Sequence, residues 1–216
     1  ADWLLWEHAM PVSLSLPLRE DRYLGDRVLA VFDNLLPDNP TIRSRLAETT
    51  GASGNDTFSL LAAVGRDCVG ALQFLPPGVD PGPAGAVAGH KVSTKEIGAL
   101  IGNLANNPLG ADDDFRISIA GAHEKTALLR WHGAWMIPAE STATTHILKP
   151  VIGRLQNGID LSLSVENEYL CMKLTAAFGL PVANCEIAEF AGHRCLVVER
   201  FDRRETRDGR LLRIPQ

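Results

Sequence analysis

Residues 114–131 read DFRISIAGAHEKTALLRW. Two runs of alternating apolar and polar residues flank a patch of small ones, Ala120, Gly121 and Ala122. Alternation with period two marks a half-buried strand, so the stretch predicts two antiparallel strands joined at a small-residue turn. The texture continues downstream through a WHGAW turn, WMIP at 135–138 and THILKP at 145–150, all short and separated by Gly or Pro. One helix interrupts the meander, from about Ser164 to Phe178, with Gly179 and Pro181 as its stop. Two more strands follow, VANCEIAEF (182–190) and RCLVVERF (194–201), turning at Ala191-Gly192-His193. Strands around one helix predict a small α+β lobe over 111–216.

Upstream the chain reads as an α/β subdomain over 1–75. MPVSLSLPL (10–18) has the period of a strand, and Pro17 points to an edge. Residues 26–36 place Val28, Leu29, Val31, Phe32, Leu35 and Leu36 at helical spacing, with Asp26 as N-cap and Pro37 and Pro40 as the stop. Thr41–Thr50 predicts a second helix ended by Gly51, and Asn55 or Asp56 caps a third, FSLLAAV, closed by Gly65. A strand is expected at Cys68–Leu75. Residues 76–90 carry four Pro and four Gly without periodicity, which predicts a linker or long surface loop. Ser93 and Glu96 form a capping box, so 91–110 is expected to hold a connecting helix over about 94–105.

Composition narrows the function classes. In 216 residues, 21 Lys and Arg stand against 26 Asp and Glu, a net charge of −5, so no global basic field draws nucleic acid or an anionic membrane. No apolar run approaches the roughly 20 residues of a membrane span, and the first ten residues lack signal-peptide order. A cytoplasmic protein is expected. Cys68, Cys171, Cys185 and Cys195 form no CxxC pair, and the six histidines show no paired-ligand spacing, so no metal site is expected. Cys185 and Cys195 could meet across a hairpin, but a reducing compartment disfavours a bridge. The acidic run 112–114 reads as a solvated turn.

Three stretches could carry chemistry. Small residues let backbone N–H groups approach an anion, so Ala120–Ala122 could cover phosphates; an ordinary hairpin turn is the alternative. It is not a Walker loop, which would need Gly at 119 and 124, where Ile119 and Glu124 stand. Lys149 ends an apolar strand and could reach phosphates as a point charge, with Glu166 or Glu168 as its carboxylate. Those glutamates lie two apart and project about 200° from one another, so only one can face the sheet. In VVERFDRR (197–204) an apolar strand turns abruptly to charge, which suits a hinge beside an adenine edge or a solvated strand end.

Together the strings resemble the HipA-type serine/threonine kinase toxins of bacterial toxin–antitoxin modules. The resemblance runs in order through MPVSLSLPL (10–18), VFDNLLPDN (31–39), VGRDCVGA (64–71), DFRISIAGAHEKTALL (114–129), TTHILK (144–149), SVENEY (164–169) and VERFDRR (198–204). It implies a protein-kinase-like fold: an N-terminal subdomain packed on a kinase N-lobe, with ATP bound between that lobe and a helical C-lobe. It further implies a phosphate loop at Ile119, Ala120, Gly121, Ala122, His123, Glu124 and Lys125. Lys149 becomes the catalytic, phosphate-contacting lysine with Glu168 as its possible partner, Glu199 and Phe201 the adenine-side hinge, and Ser118 the serine that the family autophosphorylates. His123 stands where the family usually has Gln.

The family's catalytic D-x-x-x-x-N loop and metal-binding Asp follow a stretch like LLRIPQ, where this sequence stops, so Mg²⁺ ligands are expected in a C-lobe outside it. The reading is therefore a piece of a longer kinase, inactive alone; a shortened binding module and half of a split kinase are the alternatives. The implied partners are a helix-turn-helix antitoxin (HipB-like), operator DNA mainly through that antitoxin, and an aminoacyl-tRNA synthetase as protein substrate.

Overall fold

The computed structural model describes residues 2–104, 121, 123–155 and 157–215. After a short 3-10 turn, three helices follow: α1 (Asp26–Asp33), α2 (Pro40–Thr50) and α3 (Thr57–Val64). The rest alternates strands with two helices: β1 (Gly89–Lys91), α4 (Thr94–Gly102), β2 (Thr126–Trp131), β3 (Ala134–Pro138), β4 (His146–Pro150), β5 (Gly153–Arg154), β6 (Asp160–Leu161), α5 (Ser164–Ala177), β7 (Cys185–Phe190), β8 (His193–Glu199), β9 (Arg203–Glu205) and β10 (Leu211–Arg213). Six strands form one sheet in the order β1-β3-β2-β4-β8-β7, with every pairing antiparallel. This is the α+β lobe expected from the meander.

The period of two divides the sheet between two layers. Leu148, Cys195 and Val197 face one side, against Leu36, Leu46, Leu60 and Val64 of the N-terminal helical segment and Ile97 and Ile101 of α4. Leu196 and Val198 alternate with them and face Val165, Tyr169 and Met172 of α5. Gly98 lets α4 press onto β7: a Cβ there would lie 2.5 Å from the Phe190 carbonyl oxygen.

Local chemistry sets the helix ends. Asp56 accepts the N–H groups of Phe58 and Ser59, Asn39 accepts that of Thr41, and Ser93 with Glu96 closes the capping box. Pro40 opens α2 as its first residue rather than only ending the helix before it, and α1 is capped by Gly25, not Asp26. The helix read over 26–36 ends at Asp33.

Two expected strands are absent from the described ladders. In the 10–18 segment, Ser13 and Leu16 close a tight turn, with the Leu16 N–H donating to the Ser13 carbonyl at 2.9 Å and the Ser15 N–H to the Ser13 hydroxyl at 3.1 Å. Local hydrogen bonds of this kind compete with strand pairing. Residues 68–75 form no strand: the chain bends and turns over 69–71 with Gly70 at φ 72°, and side chains take the Cys68 carbonyl and both Gly70 backbone groups. The Pro/Gly-rich run forms a surface loop up to residue 88, and its last two residues, Gly89 and His90, enter β1 opposite Pro138 and Ile137. All four cysteines are free, and register sets Cys185 opposite Val198 and Cys195 opposite Ala188. Most of 91–110 is α4 and its end; residues 105–120, including the acidic run, lie outside the described residues.

Candidate functional site

A cavity of about 410 Å³ opens between the α5 side of the sheet and the start of β2. Ile147, Lys149 and Pro150 of β4, Leu196 of β8, Ser164, Val165 and Glu168 of α5, and Gly121, His123 and Lys125 before β2 line it, together with Ile152 and with Val69 of the N-terminal segment. The Lys149 ammonium donates to Glu168 Oε1 at 2.5 Å, and both side chains are about half-buried. Glu166, two residues earlier on α5, turns away and meets Arg194 at 2.7 Å. The 100° step of the helix thus resolves the pair: Glu168 serves the cavity and Glu166 pairs with Arg194 of β8.

Lys125 is the second cation of the cavity. Its ammonium lies against Gly121, where a Cβ would come within 2.6 Å of Nζ. Burial, then the charge of Lys149, pushes its pKa down to about 8, against the opposing pull of Asp38 and Glu168. Asp38 stands on the N-terminal side, and Glu124 beside Lys125 meets Arg45 of α2 at 3.4 Å. Elements far apart in sequence therefore converge on Glu124 and Lys125.

The remaining sequence-derived positions divide. Gly121, His123 and Lys125 line the cavity with Lys149 and Glu168, and Glu124 faces Arg45 instead. Ser118, Ile119, Ala120 and Ala122 lie outside the described residues. Neither Glu199 nor Phe201 lines this cavity. Register places Glu199 opposite His146, three residues along from the Lys149–Leu196 pair, an odd number, so its side chain points to the other sheet face. There it accepts from Asn184 Nδ2 at 2.9 Å and borders a shallow hollow with Arg130, His146 and Glu186. Phe201 is 74% exposed just beyond the strand.

Comparison with known proteins identifies the family. Residues 1–75 match the family model of the HipA N-terminal domain, and residues 117–216 match that of the HipA-like C-terminal domain. The serine/threonine-protein kinase toxin HipA of Shewanella oneidensis is 31% identical over 205 residues, covering 94% of this chain and 44% of the relative. The chain belongs to the HipA family. Y4mE of Sinorhizobium fredii, a protein named as a kinase, is 36% identical over 218 residues, covering 99% of this chain and 50% of that relative. A solved complex of Shewanella HipA with HipB and operator DNA matches with a TM-score of 0.71 at 29% identity, over 98% of this chain and 47% of that one. The chain spans about half the length of the curated relatives it matches.

A buried ionic clasp joins the two HipA domains. Arg200 donates to Asp67 at 3.2 Å, to Asp202 at 2.9 and 3.0 Å, to the Thr144 hydroxyl at 2.9 Å and to the Cys68 carbonyl at 2.9 Å. Arg203 donates to Asp67 at 2.7 Å and to the carbonyls of Cys68 and Gly70 at 2.8 and 2.9 Å, while the Gly70 N–H donates to Asp202 at 2.7 Å. These contacts take the backbone groups that a strand ladder would have used. Burial alone would raise the Asp67 carboxyl, and the guanidiniums of Arg200, Arg203 and Arg213 outweigh it and hold its pKa below the usual carboxylate range. Burial, with Asp67 adding to it, pushes the Cys68 thiol up to about 12, so it is not a nucleophile at neutral pH.

Arg200, Asp202 and Arg203 suit a hinge flank or a solvated strand end by sequence, and Asp67 carries no motif of its own, yet all four are buried together. The signal was present in the pairing of a lone Asp in VGRDCVGA with the Arg-x-Asp-Arg of VERFDRR, each beside residues fit for burial. Only the fold brings the two strings together.

Proposed function

We propose that the chain is the nucleotide-binding half of a serine/threonine kinase toxin that transfers the γ-phosphoryl of ATP to a translation-related protein, of the aminoacyl-tRNA synthetase class, and to its own Ser118. The observation that carries the reading is the Lys149–Glu168 pair set in the same cavity as Lys125. Lys149 and Lys125 line the cavity together, and Gly121 allows a close backbone approach, both of which fit the polyphosphate of ATP. Glu168 orients the Lys149 ammonium, and Ile147, Val165 and Leu196 supply an apolar wall for the nucleoside.

Mg²⁺ does not fit the same way: among the described residues no group of three His, Cys, Asp or Glu could hold a metal. Its ligands belong, in this reading, to the half of the longer relatives that the chain does not match. Residues 1–75 would form the N-terminal subdomain and 111–216 the kinase N-lobe, with 76–110 between them. A phosphoryl group on Ser118, about −1.5 to −2 in charge, would repel the phosphates held at 121–125 and switch the enzyme off. A HipB-like antitoxin, bringing operator DNA with it, is the proposed partner, supported by the solved relative's complex. Among the described residues no helix is long and apolar enough to cross a membrane, and a cytoplasmic setting is proposed with the rest.

The test is the intact mass of the native gene product before and after ATP and Mg²⁺, with peptide mapping. One added phosphoryl group on Ser118, lost in Ser118→Ala, is expected. An unchanged mass together with no ATP binding would overturn the kinase reading, and an unchanged mass with ATP still bound would reduce it to a nucleotide-binding module.

A further inference from the structure

Lys125 is unlike the other lysines of the chain in its surroundings. It enters the cavity from the start of β2 and is more than half buried, whereas Lys91, Lys95 and Lys173 are exposed. Lys149 of β4 and Glu168 of α5 line the cavity with it, His123 stands at the rim, Gly121 lies against its amine, and Asp38 acts on it from the N-terminal domain. The Glu124–Arg45 pair flanks it. A lysine held among these groups, in a cavity whose other cation suits a phosphate, is placed to react with a phosphate-bearing electrophile.

We propose that Lys125 is a covalent modification site for small acyl phosphates, whose phosphate is held at Lys149 while the acyl carbon meets the Lys125 amine. The inference rests on the proposed nucleotide site, since it borrows that site's phosphate end. The neutral amine attacks the acyl carbon; the C–N bond forms, the C–O bond to phosphate breaks, inorganic phosphate leaves and the amine's extra proton passes to solvent. The product is an amide, so the cation is lost. An acyl group is also added inside the cavity, and both changes close the phosphate end to ATP.

The chemistry favours this lysine. With a pKa of about 8, Lys125 is roughly a quarter free base at pH 7.5, against about 0.1% for an ordinary lysine. Lower basicity reduces nucleophilicity, by roughly tenfold if amines follow a Brønsted slope near that of thiols, which leaves a net advantage of about tenfold before any phosphate holding.

Acetyl phosphate is the probe. The full chain is incubated with it at pH 7.5, digested, and the acetyl group quantified at each of the five lysines. Lys125 should acetylate about tenfold faster than Lys91, Lys95 and Lys173, with a rate that levels off above about pH 8. Excess inorganic phosphate should slow it, ATP should protect it, and Lys149→Gln should slow it several-fold. Equal rates at all exposed and cavity lysines, or a Lys125 rate indifferent to inorganic phosphate, would overturn the proposal even where ATP binds. Selective, phosphate-sensitive labelling that ATP leaves untouched would keep the modification site and remove the nucleotide reading.

Discussion

Two clusters of charge lie on either side of Val69, and they differ in how their charges are satisfied. In the clasp, Asp67, Arg200, Asp202 and Arg203 are almost wholly buried and bind one another and the backbone of residues 68, 70 and 144. In the cavity, Lys125, Lys149 and Glu168 are only partly buried and line open space. The same residue types hold domains together where the hydrogen bonds are complete, and can receive a ligand where a cavity still faces the charge.

Breaking the clasp should have the largest effect. Asp67→Ala leaves three buried guanidiniums short of a carboxylate, and should cost about 3–5 kcal/mol in chemical denaturation. The pH dependence follows from the same group. Its folded pKa is depressed, so the stability it contributes is present above the unfolded value and lost as pH falls through the folded one. Asp67→Asn should therefore flatten the acid limb of the stability profile below about pH 4.

Lys149→Ala should leave stability nearly unchanged and weaken ATP binding by roughly 10- to 100-fold, the worth of one charge-assisted hydrogen bond, as titration calorimetry would report. If instead it unfolds the chain, the two clusters do not differ in kind. A smaller effect is expected from pH: Lys125 is a cation below about 8, so ATP affinity should fall between pH 7 and pH 9, and Lys125→Arg should remove that decline.

The Lys149–Glu168 pair is half-exposed, so Glu168→Gln should cost under about 1 kcal/mol of stability and loosen ATP only a few-fold. Phe201→Ala sits at the bottom of the scale: removing an exposed ring should change stability by less than about 0.5 kcal/mol. A large loss of ATP affinity in that variant would restore Phe201 to the adenine wall from which the described cavity leaves it out.

The legibility of the chain followed the range of the interactions. α3, α4, α5 and strands β2, β3, β4, β7 and β8 were readable because caps and period-two alternation act over a few residues. The strand expected at 68–75 was misread because its apolar residues are real but its backbone partners are Arg200, Asp202 and Arg203, about 130 residues away. Lys149 was legible as a lone cation closing an apolar strand. Choosing Glu168 over Glu166 needed the rotation of α5 on the sheet, and Val69 and Asp38 were not legible as site residues at all.

The sequence by itself determined the α+β class, most of its elements and, through its collinear strings, the HipA family. Tertiary structure decided which charges are scaffold and which line the cavity. Helix caps and strand periods are local and are written in neighbouring residues, whereas the desolvation that turns Asp67 into a clasp and lowers Lys125 depends on what the rest of the chain packs around them.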